Sequence, residues 1–172
     1  MRSCSFRLVA VISDTTIPAG AATAPGVRAD LVRQVQSAGG SSPDPAKWKF
    51  ETGGNGWGSK ELEHYTSRLR NARIRDGKLE IIGRKEGYTG PDGVKRDYTS
   101  ARLITSGKFD QAYGSFEARI KVSYGQGVWP AFWLLGADDK QVGWPTCGEI
   151  DIVENIGRDP AVVQGTIDGR VS

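Results

Sequence analysis

The chain has 172 residues, a formal net charge of +3, 38% hydrophobic and 25% charged residues. This is enough apolar material for one folded domain and excludes global disorder. The weak positive charge is scattered among acids, with only Arg68–Arg75 locally basic, which excludes a nucleic-acid stripe; no apolar run is long enough to span a bilayer.

Residues 1–42 read as an N-terminal tail or a degenerate export segment. Arg2 and Arg7 supply positive charge and LVAVI a short apolar run, PAGAATA resembles a small-residue cleavage region, and Ser13–Thr16 interrupts the pattern. Within this segment ADLVRQVQSA (Ala29–Ala38) predicts a short helix. A folded domain is expected from 43 to 172, where 23 glycines along the whole chain and abundant aromatics favour strands and tight turns. WKFET and ELEHYT predict strands on either side of the Gly-rich turn GGNGWG. ARIRDGKLEIIGRKE (Ala72–Glu86) predicts a hairpin closed by Asp76-Gly77. GYTGPDG reads as a loop. YTSARLITSG, GSFEARIKVS, WPAFWLLG, GEIDIVEN and VVQGTIDG follow as strands separated by Gly, Pro or Asp turns. A succession of strands without helical crossovers predicts an all-β antiparallel sandwich or barrel. Cys4 and Cys147 suggest neither a zinc site nor a disulfide framework; Cys147 is expected as a small buried thiol beside the acidic strand.

GEIDIVEN concentrates Glu149, Asp151 and Glu154 in what otherwise reads as a core strand. Residues two apart share a strand face, so Glu149 and Asp151 point one way while Ile150 and Ile152 point the other. Strict alternation would bury Glu154 among the isoleucines at high cost. One extra residue around Ile152 and Val153, a β-bulge, returns Glu154 to the acidic face. Three carboxylates this close repel, which spreads their pKa values and holds one protonated near neutrality. Retaining glycosidases need such a pair, with carboxyl groups about 5 Å apart. A solvated strand face and a hard-cation site are the other readings of the same pattern. Trp129 and Trp133, around an expected core residue Phe132, place two indoles four residues apart, with Trp57, Tyr65, Tyr124 and Trp144 as further aromatics suited to sugar rings. His64 is the sole histidine, which removes a Ser-His-Asp or Cys-His site, and no phosphate or dinucleotide fingerprint is present.

GEIDIVEN resembles the bulged laminarinase-like signature of glycoside hydrolase family 16. NGWGSKELEHYT, NARIRDGKLEI, YTSARLITSGKF, YGSFEARIKVSYGQGVWPAFWLLG and VVQGTI resemble family segments in the same order, from about Pro43 to Gly169. The resemblance implies a concanavalin-like jelly roll, incomplete in this chain, that hydrolyses internal β-1,3-glucan bonds with retention. It implies Glu149 as nucleophile, Glu154 as general acid/base and Asp151 as assistant to the nucleophile. Asn71, Trp129 and Trp133 match cleft-lining positions, and Glu61 and Arg119 positions that support the cleft. The implied partner is a β-glucan polysaccharide, with no nucleic acid or membrane, and the implied location is secreted or periplasmic.

Two departures stand beside the resemblance. The chain ends at Ser172, short of the family's usual length, and VRQVQSAG lacks the acids that can help bind a structural calcium, so no cofactor is required by the reading. GTIDG also carries Asp168 where the family has histidine. The expectation is therefore an endo-β-1,3-glucanase core, with a non-catalytic glucan-binding module or an inactive truncated fragment as the alternatives.

Overall fold

The computed structural model describes residues 40–169, together with the backbone of residues 6–11 and 15–18. The described strands are β1 (Phe6–Val11), β2 (Thr15–Pro18), β3 (Lys49–Glu51), β4 (Glu63–Tyr65), β5 (Ala72–Arg75), β6 (Lys78–Ile81), β7 (Arg84–Thr89), β8 (Lys95–Ser100), β9 (Arg102–Ile104), β10 (Ala131–Gly136), β11 (Glu149–Glu154) and β12 (Gln164–Asp168). A single short helix, α1 (Asp139–Val142), lies between β10 and β11 among the described residues. The all-β expectation holds. One sheet runs β12-β11-β10-β1-β9-β3, a second β2-β6-β5 and a third β4-β8-β7.

The core lies between the first two sheets. Ala72, Leu79 and Ile81 from β5 and β6 pack with Leu103 of β9, Phe132 and Leu134 of β10, and Trp48 and Ala101. Ile150, Ile152 and Val153 of β11 pack against this cluster from the side. Alternation along AFWLLG therefore divides β10: Phe132 and Leu134 go inward, Ala131, Trp133 and Leu135 to the other face. The predicted Asp76-Gly77 turn closes β5 and β6, with φ of 49° and 70° at the two positions. Two successive positive φ values match the right-handed twist of a hairpin, and Asp-Gly is the sequence that tolerates them.

Several expectations are corrected. GYTGPDG is not wholly loop, since β7 extends through Thr89 and pairs antiparallel with β8. The β4–β8 pairing is parallel, an exception to the antiparallel expectation. YTSARLITSG divides at Ala101 into the end of β8 and β9. GSFEARIKVS forms no strand: residues 114–124 carry neither strand nor helix. Its side chains nevertheless alternate, with Phe116, Ala118 and Ile120 packed on the core and Glu117, Arg119 and Lys121 exposed. Side-chain pattern decides which face turns inward, whereas a strand also needs a backbone ladder, and none of the described strands pairs with this segment.

The N-terminal tail expected over residues 1–42 contains two described strands. β1 lies between β10 and β9, with Val9 opposite Trp133 on one side and Ile104 on the other. β2 pairs with β6. The helix expected at 29–38 and the Cys4 reading fall outside the described residues.

Candidate active site

The site is built on the hairpin of β10 and β11. Along this pair Leu135 opposes Glu149, Trp133 opposes Asp151 and Ala131 opposes Glu154. The register slips between Phe132 and Trp133, whose partners are Val153 and Asp151. Ile152 is the extra residue. The bulge required by the phase of the acids is thus present, and it places all three carboxylates opposite the non-core face of β10. A slip between Asp151 and Glu154 also appears against β12, where Glu149 opposes Asp168 and Asp151 opposes Thr166.

Burial and mutual repulsion dominate the electrostatics of this row. Glu149 is pushed up to about 7, first by burial, then by Asp151, Asp168 and Glu154; a hydrogen bond donated by the Trp144 indole works in the opposite direction. Asp151 is buried and raised to about 6, first by burial, then by Glu154 and Asp168. Carboxylate oxygens of Glu149, Asp151 and Asp168 lie within 4.8 Å of one another. Carboxylates this close can share protons. Cys147, the buried thiol expected beside this strand, is free and is raised by burial and by Asp139, Asp138 and Glu149. The backbone here is packed closely: a Cβ on Gly136 would stand 2.0 Å from the Cys147 carbonyl oxygen.

A second cluster adjoins the row through Trp133. The Arg102 guanidinium lies 5.0 Å from the Trp57 ring centroid and 5.1 Å from that of Trp133, and its Nε donates to Glu51 at 2.6 Å. Trp57 meets Tyr65 edge to face at 5.9 Å. The Tyr65 hydroxyl donates to Glu61 at 2.5 Å, with Glu63 at 3.0 Å. Burial raises the Glu61 carboxyl, against this hydrogen bond. Glu61 thus connects to the acidic row by way of Tyr65, Trp57, Arg102 and Trp133.

The other expected site residues are placed as follows. Trp129 precedes β10 and is 47% exposed, while Trp133 is half-buried in the strand. Asn71 has 0% exposure. Its Oδ1 accepts from Thr66 and Arg68, and its Nδ2 donates to the Ile82 carbonyl and the Thr99 hydroxyl. Asn71 therefore holds the scaffold and offers no surface to a ligand, contrary to the cleft-lining position the resemblance implied. Arg119 is exposed on the 114–124 segment, which carries neither strand nor helix, and belongs to neither cluster. Trp144, 63% exposed, contacts Glu149 directly.

Two residues were not singled out from sequence as site residues. Arg102 had a local signal, an arginine between Ala101 and Leu103 in an otherwise apolar strand. Asp168 was visible as a departure, but its approach to Glu149 depends on the β11–β12 register.

Comparison with known proteins places this geometry in a family. Residues 61–168 match glycosyl hydrolases family 16. The chain is 49% identical over 129 residues to a beta-glucanase from Rhodothermus marinus, covering 73% of this chain and 43% of that protein. It is 39% identical over 138 residues to glucan endo-1,3-beta-glucosidase A1 from Niallia circulans, covering 74% of this chain and 20% of that protein. Among solved structures, it resembles the catalytic domain of an endo-1,3-beta-glucanase (laminarinase) from Thermotoga petrophila with TM-score 0.72 and 46% identity, over 78% of this chain and 55% of that one. The chain thus spans about half the length, or less, of the relatives it matches.

Proposed function

The chain belongs to glycosyl hydrolases family 16, and from that membership we propose that it carries the catalytic row of a retaining endo-β-1,3-glucanase. The observation that carries the reading is the bulge that turns Glu149, Asp151 and Glu154 onto one face beside Trp133. Single-face phasing serves chemistry on a bound ligand; it does nothing for the core, which Ile150, Ile152 and Val153 already fill.

In this reading Glu149, once ionised, attacks the anomeric carbon. Glu154 in its acid form protonates the departing glycosidic oxygen, and then takes a proton from the water that hydrolyses the glycosyl-enzyme. Asp151 exchanges protons with Glu149. Trp133 and Trp129 offer indole faces to the sugar rings, and Arg102 steadies Trp133 from behind together with Trp57. The names of the relatives favour β-1,3-glucan as substrate, and a polysaccharide of that size favours a secreted or periplasmic location.

The test is reducing-end release from laminarin by the full chain, with Glu149→Ala in parallel. Release by the wild type and its loss by at least about a hundredfold in the variant is the expected result, since the nucleophile has no substitute. Release that survives in Glu149→Ala overturns the assignment of the nucleophile. Laminarin binding without new reducing ends would instead identify a glucan-binding module.

A further inference from the structure

We propose that Asp168 is a positioning residue that controls when the nucleophile candidate Glu149 ionises, acting across the β11–β12 ladder. The proposal rests on the reading of Glu149 given above. Three observations support it. Asp168 is directly opposite Glu149 in the antiparallel register. Residues so paired hold their Cβ atoms about 5 Å apart, and like charges there repel. Carboxylate oxygens of Asp168, Asp151 and Glu149 also converge within 4.8 Å. Finally, Asp168 is half-buried on a strand whose other residues are largely exposed, so its carboxyl is turned toward the acids of β11.

Among the described side chains, Asp168 acts on Glu149 in the same sense as its other charged neighbours. On β11 the groups facing Glu149 are Asp151 and Glu154, and from the β10–β11 connection come the Trp144 indole and Cys147. On the β10 side Glu149 meets Leu135, beyond which Arg7 of β1 occupies the next register position of the row. Among the described residues the charges acting on Glu149 are acids, and Asp168 is the one contributed by a strand other than β11. Removing it lowers the cost of ionising Glu149 without touching β11.

The experiment is a carboxyl-carbon NMR titration of EDTA-treated full-length protein, following Glu149. The variants are Asp168→Asn, Asp168→Glu and, as a surface control, Asp159→Asn, with laminarin hydrolysis against pH measured in parallel. Asp168→Asn should lower the Glu149 midpoint by about one pH unit, a tenfold gain in ionised form on the acid side, and shift the acid limb of hydrolysis equally. Asp168→Glu should restore the midpoint, and Asp159→Asn should leave it in place. An unmoved midpoint in Asp168→Asn, or an equal shift in Asp168→Asn and Asp168→Glu, overturns the proposal whether or not laminarin is cleaved. A lowered midpoint with no cleavage by any variant supports the role of Asp168 and overturns the glucanase reading instead.

Discussion

At Glu149 and Asp151 the folded protein holds protons more tightly than the unfolded chain does. Their carboxyls rise from 4.5 to about 7 and from 3.8 to about 6, with burial the leading cause at each. The stability this contributes is complete below about pH 4 and is lost as pH rises through 6 and then 7. Asp92 acts in the opposite sense. Its carboxyl is lowered to about 2, first by a hydrogen bond from His64, and its contribution, present above pH 4, fades as pH falls through 2. The combined expectation is a melting temperature that peaks in mildly acid solution. Thermal unfolding between pH 3 and 8 checks it: Glu149→Gln should flatten the decline between pH 4.5 and 7, and an unchanged slope would show that Glu149 titrates normally. Asn71 illustrates the reverse relation between sequence and role at this scale. Its place within a family motif suggested a ligand contact, yet its amide is spent on Thr66, Arg68, Ile82 and Thr99. Buried amides are conscripted by the backbone and side chains around them, and here those neighbours come from the segment after β4, the connection after β6 and strand β8.

The bulge in β11 belongs to the scale of the element. Side chains alternate strictly along a strand, so one added or deleted residue reverses every position beyond it. Deleting Val153 should therefore remove the extra residue: Glu149, Asp151 and Glu154 then fall at i, i+2 and i+4 of a regular strand and still share one face, while Asn155 turns toward the core. The expected outcome is laminarin hydrolysis that persists at a reduced rate, with destabilisation of about 2 kcal/mol from the lost Val153 contacts and the displaced, buried Asn155. Denaturant unfolding and the reducing-end assay measure the two effects separately. Complete loss of activity in a deletion variant that still folds would mean that a shared face is not enough and that the bulge itself aims Glu154. This element is legible in the sequence because two rules conflict within six residues: period-two alternation and the cost of burying a charge. The Asp76-Gly77 hairpin is legible for a similar local reason, its two positive φ values. GSFEARIKVS is legible only in part. Its alternation predicts the inward face of Phe116, Ala118 and Ile120, but pairing depends on what lies beside it.

Across the whole molecule, β1 is the ladder that joins β9 and β3 to β10, β11 and β12. Its register runs from Phe6 opposite Gly136 to Val11 opposite Ala131, and it meets β9 at Val9, Ala10 and Val11. Without it β9 and β10 would each expose an unpaired edge, which costs backbone hydrogen bonds and invites association. Deleting residues 1–14 should therefore cause a loss of hydrogen-exchange protection at Trp133 and Leu103 together, along with increased self-association by light scattering. Protection that persists at both amides would show that the sheet closes without β1. At the other edge, β12 leaves Ile167 79% exposed although it registers with Ile150, which packs on the core. That uncovered face accompanies a chain that spans about half of its structural relatives.

The amino-acid sequence by itself determined the features that depend on neighbours along the chain: the all-β class, the Asp-Gly hairpin, the inward side of Phe132 and Ile150, and the need for a bulge within GEIDIVEN. These follow from periodicity, turn stereochemistry and the cost of burying charge, which act over a few residues. Tertiary structure alone decided which strands lie side by side. That choice put Asp168 against Glu149, Arg102 between Trp57 and Trp133, Asn71 out of reach of any ligand, and β1 in the middle of the large sheet. Each of these is a contact between segments distant in sequence, set by ladder register and by the packing of one sheet on another.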